Sequence, residues 1–296
     1  MSSALIATLI ANPANPCLSA ELADKCRDAV GASAVYWLAD GIATDLPLPA
    51  EVDQPAKWLS MALADEEVDF VIQPAEGRRK KALIADMDST MIQQECIDEL
   101  ADLAGVGDRV KDITARAMRG ELDYEPALRE RIALLKGQPK RLLQEVIDTR
   151  ISLTPGGKTL VATMKANGAW CALVSGGFTD FTGPIAATLG FDENRANIFA
   201  FEGEGFSGSV IPPILGRASK AEAMDEMCQT HKLTPSDFMA VGDGANDLDM
   251  LTKTPSGVAL HAKPIVAETA PMRIDHGDLT ALLYIQGYRK ADFVKG

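Results

Sequence analysis

Two short apolar segments of the chain lead directly into clusters of carboxylates, and this feature limits the folds that the chain can adopt. Residues 82–85 run into Asp86-Met87-Asp88-Ser89-Thr90, and residues 237–241 run into Gly242-Asp243-Gly244. Further apolar segments at 169–174 and 257–260 alternate with helical patterns. Strands separated by helices form a parallel sheet covered on both faces, and ligands bind where such strands end. The sequence therefore predicts an α/β fold with its chemistry at one edge of the sheet.

The first 75 residues have a different order of elements. Strand-like segments lie at 4–11, 34–38, 41–46 and 68–73, with helical patterns at 18–30 and 51–63. Because β-α-β-β-α-β is the order of ferredoxin-like α+β domains, we predict such a domain over residues 1–75. Its role is packing or dimerisation, or else the binding of a small regulatory ligand. The four consecutive cations at 78–81 are typical of a solvated linker.

Residues 93–150 are helical in pattern and rich in charge, with no strand signal. Because this block follows the first core strand, it is inserted beside the carboxyl ends of the strands. We therefore predict a helical cap domain over residues 93–150, inserted into a core domain made of residues 82–92 and 151–296.

Charge and composition exclude several classes of protein. The chain has 29 Lys and Arg residues against 42 Asp and Glu residues, a net charge of −13, whereas sequence-independent nucleic-acid binding needs a basic face. No apolar segment is long enough to cross a bilayer or follows a basic signal region. We expect a cytoplasmic protein that binds neither nucleic acid nor membranes. A homodimer is compatible with the sequence.

The segment 86–90 places two carboxylates two residues apart in an extended chain, so both point to one side. Such a pair repels itself unless a cation or a proton is present. Oxygen ligands of this kind suit Mg²⁺, which binds one or two carboxylates together with a substrate phosphate. One of Asp86 and Asp88 can then act as nucleophile and the other as general acid and base. Asp243 can supply another metal oxygen, and Asp247 can support the metal from outside its ligand shell.

Two further segments indicate an anion site. Ser175-Gly176-Gly177 follows a buried strand and is predicted to open a helix, where a hydroxyl and free N–H groups bind anions. Lys220 lies near the start of a predicted helix at 219–231 and can clamp a phosphoryl group, although a lone lysine is more often an ordinary surface residue.

The order D-x-D-S-T, S-G-G, Lys, G-D-G-x-N-D resembles the haloacid dehalogenase superfamily of aspartate-nucleophile phosphatases, over residues 82–290. The resemblance implies a Rossmann-like core, a Mg²⁺ cofactor, Asp86 as the nucleophile that becomes aspartyl-phosphate, and Asp88 as the general acid and base. It also implies that Asp86, Asp243 and the backbone carbonyl of Asp88 bind the metal, supported by Asp247. The residues that would hold the phosphate are Ser175, Gly176, Lys220 and Asn246.

The cap residues resemble those of superfamily members that hydrolyse O-phospho-L-serine. Glu95, nine residues after Asp86, would bind the substrate ammonium, and Arg131 would bind its carboxylate. Met118 and Tyr124 match the segment that lines the substrate site, although Phe often stands at the position of Tyr124. Arg129 is the alternative to Arg131.

Other interpretations stay open from the sequence. The same core can act on another small phosphate, or pass the phosphoryl group to an alcohol such as homoserine. A signalling receiver also phosphorylates an aspartate beside Mg²⁺, but the second carboxylate and the inserted cap favour turnover. The N-terminal order of elements is similar to that of ACT-type domains, which bind amino acids.

Overall fold

The computed structural model describes residues 4–119 and 121–296. The chain divides into two compact units. The first unit comprises Met1–Leu83, Pro155–Trp170 and Thr234–Gly296, and the second comprises Ile84–Thr154 and Cys171–Leu233.

The N-terminal part of the first unit is a four-stranded antiparallel sheet with two helices. Its elements are β1 (Leu5–Ala11), α1 (Ala20–Val30), β2 (Tyr36–Ala39), β3 (Ala43–Pro47), α2 (Pro55–Ala62) and β4 (Val68–Pro74). The strand order is β2-β3-β1-β4, and β1 pairs antiparallel with both β3 and β4. The predicted β-α-β-β-α-β order is therefore confirmed, whereas the similarity to ACT-type domains stays a prediction.

The caps and the apolar face of helix α1 explain why it forms and packs on the sheet. The Ser19 side chain accepts a hydrogen bond from the Leu22 N–H at 3.1 Å and caps the start of the helix. Gly31 ends it with φ 64°, a left-handed conformation that costs glycine little. The apolar face of the helix packs with Leu9 and Leu46 of the sheet in one buried cluster.

The remaining elements alternate between strand and helix. In chain order they are β5 (Ala82–Ala85), α3 (Cys96–Leu103), α4 (Gly107–Met118), α5 (Tyr124–Ala133), α6 (Arg141–Thr149), α7 (Gly157–Ala166), β6 (Trp170–Phe178), α8 (Thr179–Leu189), β7 (Glu193–Glu202), β8 (Gly205–Ile211), α9 (Ala218–His231), β9 (Phe238–Gly242), α10 (Leu248–Leu251), β10 (Gly257–Leu260), α11 (Pro264–Thr269), β11 (Met272–Ile274) and α12 (Ala281–Ile285).

The second sheet has the strand order β11-β10-β9-β5-β6-β7-β8. Strand β10 pairs parallel with β9 and β11, β6 pairs parallel with β7, and only the β7–β8 hairpin is antiparallel among the pairs described. Strands β5, β9 and β10 are buried along their whole length, as expected for a sheet covered on both faces. The predicted α/β fold with a parallel sheet is confirmed.

Helices α3 to α6 form the predicted helical block of the second unit. Its two ends meet, because the Gln93 N–H donates to the Ser152 carbonyl at 2.9 Å and the Thr154 N–H donates to the Met91 carbonyl at 3.0 Å. The block is therefore an insertion with a narrow base. Among the described residues, no helix has the length and apolar character needed to cross a membrane.

The basic run at 78–81 departs from the predicted solvated linker at Arg78, whose side chain is only 9% exposed, whereas Arg79 and Lys81 are exposed. The Arg78 guanidinium makes a two-point ion pair with Asp45, with distances of 2.7 and 3.1 Å. It also donates to the Thr8 hydroxyl at 3.0 Å and to the carbonyls of Tyr284 and Ile285 at 3.1 and 3.0 Å. The N-terminal sheet places a carboxylate and a hydroxyl on the face opposite its apolar cluster, and these groups bind the arginine.

Asp69 makes a second polar tie within the first unit. Its carboxylate accepts the backbone N–H groups of Asp275, His276 and Gly277 at 2.8, 3.0 and 2.8 Å. Burial raises the pKa of Asp69, and the three backbone donors act against that rise. The segment after β11 is therefore fixed to β4 through one carboxylate.

The burial of Arg78 gives a stability prediction. Replacing Arg78 with Ala leaves Asp45 buried without its partner, so the free energy of unfolding should fall by about 3 kcal/mol. Lys81→Ala is the matched control from the same basic run, because Lys81 is 68% exposed in its ion pair with Asp237 and should lose less than about 1 kcal/mol. Urea unfolding of the two variants measures both values. Equal losses would show that Arg78 is an ordinary surface cation.

Candidate functional site

Asp86 lies directly after β5 and is paired with Lys220. The Lys220 Nζ is 2.7 Å from the Asp86 Oδ2, and the two side chains are only 2% and 7% exposed. The other oxygen of Asp86 accepts the Met87 N–H at 2.7 Å. Each carboxylate oxygen thus has its own donor, which fixes the plane of the group. Lys220 is therefore buried and ion-paired, and it is not the ordinary surface residue that a lone lysine usually is.

Asp88 lies two residues further on and is held in a different environment. Its Oδ1 accepts the Cys96 N–H at 2.9 Å, and its Oδ2 is 3.4 Å from the Ser175 hydroxyl. Burial, followed by the negative charges of Glu95 and Asp86, raises the pKa of Asp88 to about 7. The two carboxylates are therefore chemically distinct: Asp86 is paired with a cation, whereas Asp88 can carry a proton near neutral pH.

The chain turns sharply after Asp88. Ser89 has φ 53°, in the left-handed region that a serine rarely adopts, and such strain is concentrated at functional sites. The Ser89 hydroxyl donates to the Glu95 Oε1 at 2.8 Å. Glu95 itself is exposed and stands at the start of α3.

The Ser175-Gly176-Gly177 segment does not open a helix as predicted. Strand β6 continues through it to Phe178, with an irregular register between Val174 and Phe178, and α8 begins at Thr179. The local donor is the Gly177 N–H, which bonds the Ser175 hydroxyl oxygen at 2.8 Å. The anion site of a helix N-terminus is therefore not formed by these residues.

A side chain at either glycine of this segment would crowd the groups beside it. A Cβ on Gly177 would lie 3.0 Å from both the Asp88 Oδ2 and the Ser175 Oγ, and a Cβ on Gly176 would lie 2.8 Å from the Tyr124 hydroxyl. The Gly176 carbonyl accepts two hydrogen bonds, from the Tyr124 hydroxyl at 3.0 Å and from the Asn197 Nδ2 at 2.8 Å. Asn197 did not emerge from the sequence, because an asparagine inside a strand has no motif of its own.

The G-D-G segment after β9 is compact for a similar reason. The Asp247 Oδ2 accepts the Gly244 N–H at 3.0 Å. A Cβ on Gly242 would lie 2.4 Å from the Asp247 Cγ, and one on Gly244 would lie 2.3 Å from the Asn246 Oδ1. A side chain at Gly242 would displace Asp247 down to its Cβ, whereas one at Gly244 would meet the end of the Asn246 side chain.

The carboxylates of the G-D-G segment and of the segment after β5 have the chemistry of metal ligands. Asp243 and Asp247 follow β9 in the first unit, and Asp86 follows β5 in the second. Carboxylate oxygens are hard donors that fit Mg²⁺ and do not suit softer metals. The role of Asp247 as a support from outside the ligand shell stays a prediction, and the Asp88 carboxylate is engaged by Cys96 and Ser175.

The candidate residues of the helical block differ in burial and in the partners they contact. Arg129 makes a surface ion pair with Glu125 at 2.7 Å and is 48% exposed. Arg131 is half-buried and donates to the Ala127 carbonyl at 3.3 Å. Its positive charge opposes the rise in pKa that burial causes at Asp98. The side chain of Met118 lies outside the described residues. Arg131 is therefore better placed than Arg129 for a role inside the cap.

A family model and individual relatives both match the sequence of this chain. The family model of the haloacid dehalogenase-like hydrolases matches residues 83–252. A phosphoserine phosphatase of Albidiferax ferrireducens is 41% identical over 208 residues, which are 69% of this chain and 88% of the relative. A phosphoserine phosphatase of Archaeoglobus fulgidus is 40% identical over 73% of this chain, and the chain spans 63% of that relative's length.

Solved structures agree with the sequence matches. A haloacid dehalogenase family hydrolase of Salmonella enterica serovar Typhi has a TM-score of 0.84 at 29% identity, covering 95% of this chain and 98% of the other. A structure described as a phospho-aspartyl intermediate analogue of phosphoserine phosphatase has a TM-score of 0.65 at 37% identity, covering 70% and 98%. The resemblance read from the motifs is thereby confirmed.

The raised pKa of Asp88 gives a pH-dependent stability prediction. Between pH 4 and about pH 7 the folded chain keeps the Asp88 proton and the unfolded chain has lost it, so wild-type stability falls as the pH rises through this window. Asp88→Asn keeps the shape and has no proton to lose. In metal-free buffer the variant should therefore be more stable than wild type by on the order of 2 kcal/mol above pH 7, and no more stable below pH 4.

Urea unfolding at a series of pH values measures this difference. Asp65→Asn, at an exposed acid of the first unit, serves as the control and should follow wild type at every pH. A gap between Asp88→Asn and wild type that closes as the pH rises would contradict the assigned environment of Asp88.

Proposed function

The chain belongs to the haloacid dehalogenase-like hydrolase family, and we propose that it is a Mg²⁺-dependent phosphatase that hydrolyses O-phospho-L-serine to L-serine and phosphate. The observation that carries the proposal is the contrast between the two carboxylates after β5. One is ion-paired with the buried Lys220, and the other has a pKa raised to about 7. A nucleophile and a proton donor thus lie two residues apart. The reaction would complete the synthesis of serine from a phosphorylated precursor.

The first step forms an aspartyl-phosphate. An oxygen of Asp86 attacks the phosphorus, a new O–P bond forms, and the bond from phosphorus to the serine oxygen breaks. Asp88, protonated near neutral pH, gives its proton to the leaving serine oxygen. The hydrogen bonds to both Asp86 oxygens hold the carboxylate plane during the attack.

The second step regenerates the enzyme. Asp88, now a carboxylate, takes a proton from a water molecule as the water attacks phosphorus, and the bond between phosphorus and Asp86 breaks. Asp86, Asp243 and the Asp88 carbonyl would hold Mg²⁺, supported by Asp247, and the bound ion would neutralise charge on the phosphoryl oxygens. Lys220 supplies a fixed positive charge to the same oxygens.

Binding of the phosphoryl group falls to the residues after the core strands. The Ser175 hydroxyl, the Gly176 backbone, the Lys220 ammonium and the Asn246 amide are the donors proposed for it. Ser175 is 1% exposed and Lys220 is 2% exposed, so their hydrogen bonds form in a medium where water competes little.

Recognition of the serine part falls to the cap. Glu95 would bind the ammonium and Arg131 the carboxylate, with Met118 and Tyr124 lining the site. The Ser89 hydroxyl donates to the Glu95 Oε1 at 2.8 Å, which helps to orient the carboxylate proposed to bind the ammonium. Arg131 is supported over Arg129 because Arg129 is already engaged on the surface by Glu125.

A substrate panel tests the proposal. With Mg²⁺, the wild-type chain should release inorganic phosphate from O-phospho-L-serine faster than from an aryl phosphate, and adding homoserine should not divert the phosphoryl group. Arg131→Ala should lower kcat/KM for phosphoserine by about 100-fold and for the aryl phosphate by less than about threefold, because a charge-assisted pair with the carboxylate is lost.

Arg129→Ala is the matched control and should leave both reactions close to wild type. An equal loss on both substrates in Arg131→Ala would reject its carboxylate role. No phosphate release from phosphoserine by the wild-type chain would reject the proposed substrate, and a stable phosphoprotein without release would favour a signalling receiver.

A further inference from the structure

We propose that Asn197 is a positioning residue that fixes the Ser175 hydroxyl against Asp88 through the Gly176–Gly177 peptide. This inference rests on the proposed function, because it assigns Asn197 a part in the same phosphoryl-transfer site. Asn197 lies on β7, opposite Phe178 of β6, and it is 1% exposed. It does not touch the reacting groups itself.

The Asn197 amide bridges two segments of the second unit. Its Nδ2 donates to the Gly176 carbonyl at 2.8 Å and to the Leu215 carbonyl at 3.3 Å, and its Oδ1 accepts the Leu215 N–H at 2.7 Å. Leu215 belongs to the segment that leads into α9, whose first turn carries Lys220. One buried side chain thus ties the strand that carries Ser175 to the segment before Lys220.

The bond to Gly176 acts on one peptide plane. The Gly176 carbonyl and the Gly177 N–H belong to the same planar unit and point in opposite directions. The carbonyl is held by Asn197, and the N–H donates to the Ser175 Oγ at 2.8 Å. Since the Ser175 oxygen accepts this bond, its own hydrogen is left for a second acceptor, which is the Asp88 Oδ2 at 3.4 Å in this structure and would be a phosphoryl oxygen once the group is bound.

The four groups form a continuous chain of hydrogen bonds from Asn197 to Asp88. Hydrogen bonds in such a chain polarise one another where water is excluded. The Tyr124 hydroxyl donates to the same Gly176 carbonyl but comes from the cap, so Asn197 is the donor that the strands themselves provide. Loss of Asn197 frees the peptide plane and with it the direction of the Ser175 hydroxyl.

The test compares Asn197→Ala with Thr182→Val in the presence of Mg²⁺. Thr182 is the matched control because it is buried, and its hydroxyl bonds the Asn194 side chain of the same strand β7 at 2.7 Å. Asn197→Ala should lower kcat for phosphoserine by about 10- to 100-fold with little change in KM. Its dissociation constant for inorganic phosphate, measured by calorimetry, should rise about tenfold. Inhibition by L-serine should stay within about twofold of wild type.

Thr182→Val should match wild type in kcat, in phosphate affinity and in inhibition by L-serine, even if its thermal stability is lower. If Asn197→Ala does not fold, Asn197→Ser, which leaves a smaller cavity and a shorter polar group, should show the same pattern at smaller amplitude. Asn197 variants that match Thr182→Val, or that lose phosphate and L-serine binding equally, would overturn the inference. A wild-type chain inactive on phosphoserine would instead reject the proposed function, and the phosphate affinities would still decide the role of Asn197.

Discussion

The ion pair between Lys220 and Asp86 is the interaction on which the rest of the site depends. Both side chains are almost fully buried, and burying either charge alone would be costly. Removing one partner would therefore leave an uncompensated charge. The pair brings the first turn of α9 to the end of β5. The negative charge of Asp86 is also one of the causes that raise the pKa of Asp88. One electrostatic contact thus separates the roles of two neighbouring carboxylates.

Polar side chains in the first unit stabilise the packing of its segments. Arg78 and Asp69 each make several hydrogen bonds, and they join the N-terminal sheet to the segments around β11 and α12. Such ties are specific because each donor and acceptor has a fixed partner, whereas an apolar contact tolerates sliding. A ferredoxin-like sheet held in this way is an integral part of its unit.

The sequence predicts the fold well where periodicity and strand-end motifs coincide, as at β5 and β9. It predicts less where tertiary contacts decide the outcome. The Ser175 segment has the pattern of a helix start, but strand β6 resumes its pairing with β7 at Phe178, and the helix begins only at Thr179. Arg78 looks solvated in a run of cations, and only the fold brings Asp45 to it. Asn197 has no local signal, because its partners are 18 and 21 residues away along the chain.

The most direct measurement of the central claim is the identity of the group that carries the phosphoryl during turnover. The chain is mixed with O-phospho-L-serine and Mg²⁺, quenched in acid within one turnover, and digested for peptide mass spectrometry. One phosphoryl group is expected on the peptide that contains Asp86, and none when Asp86 is replaced by Asn. Phosphate release at the wild-type rate without any modified peptide, or from the Asp86→Asn variant, would contradict the central claim.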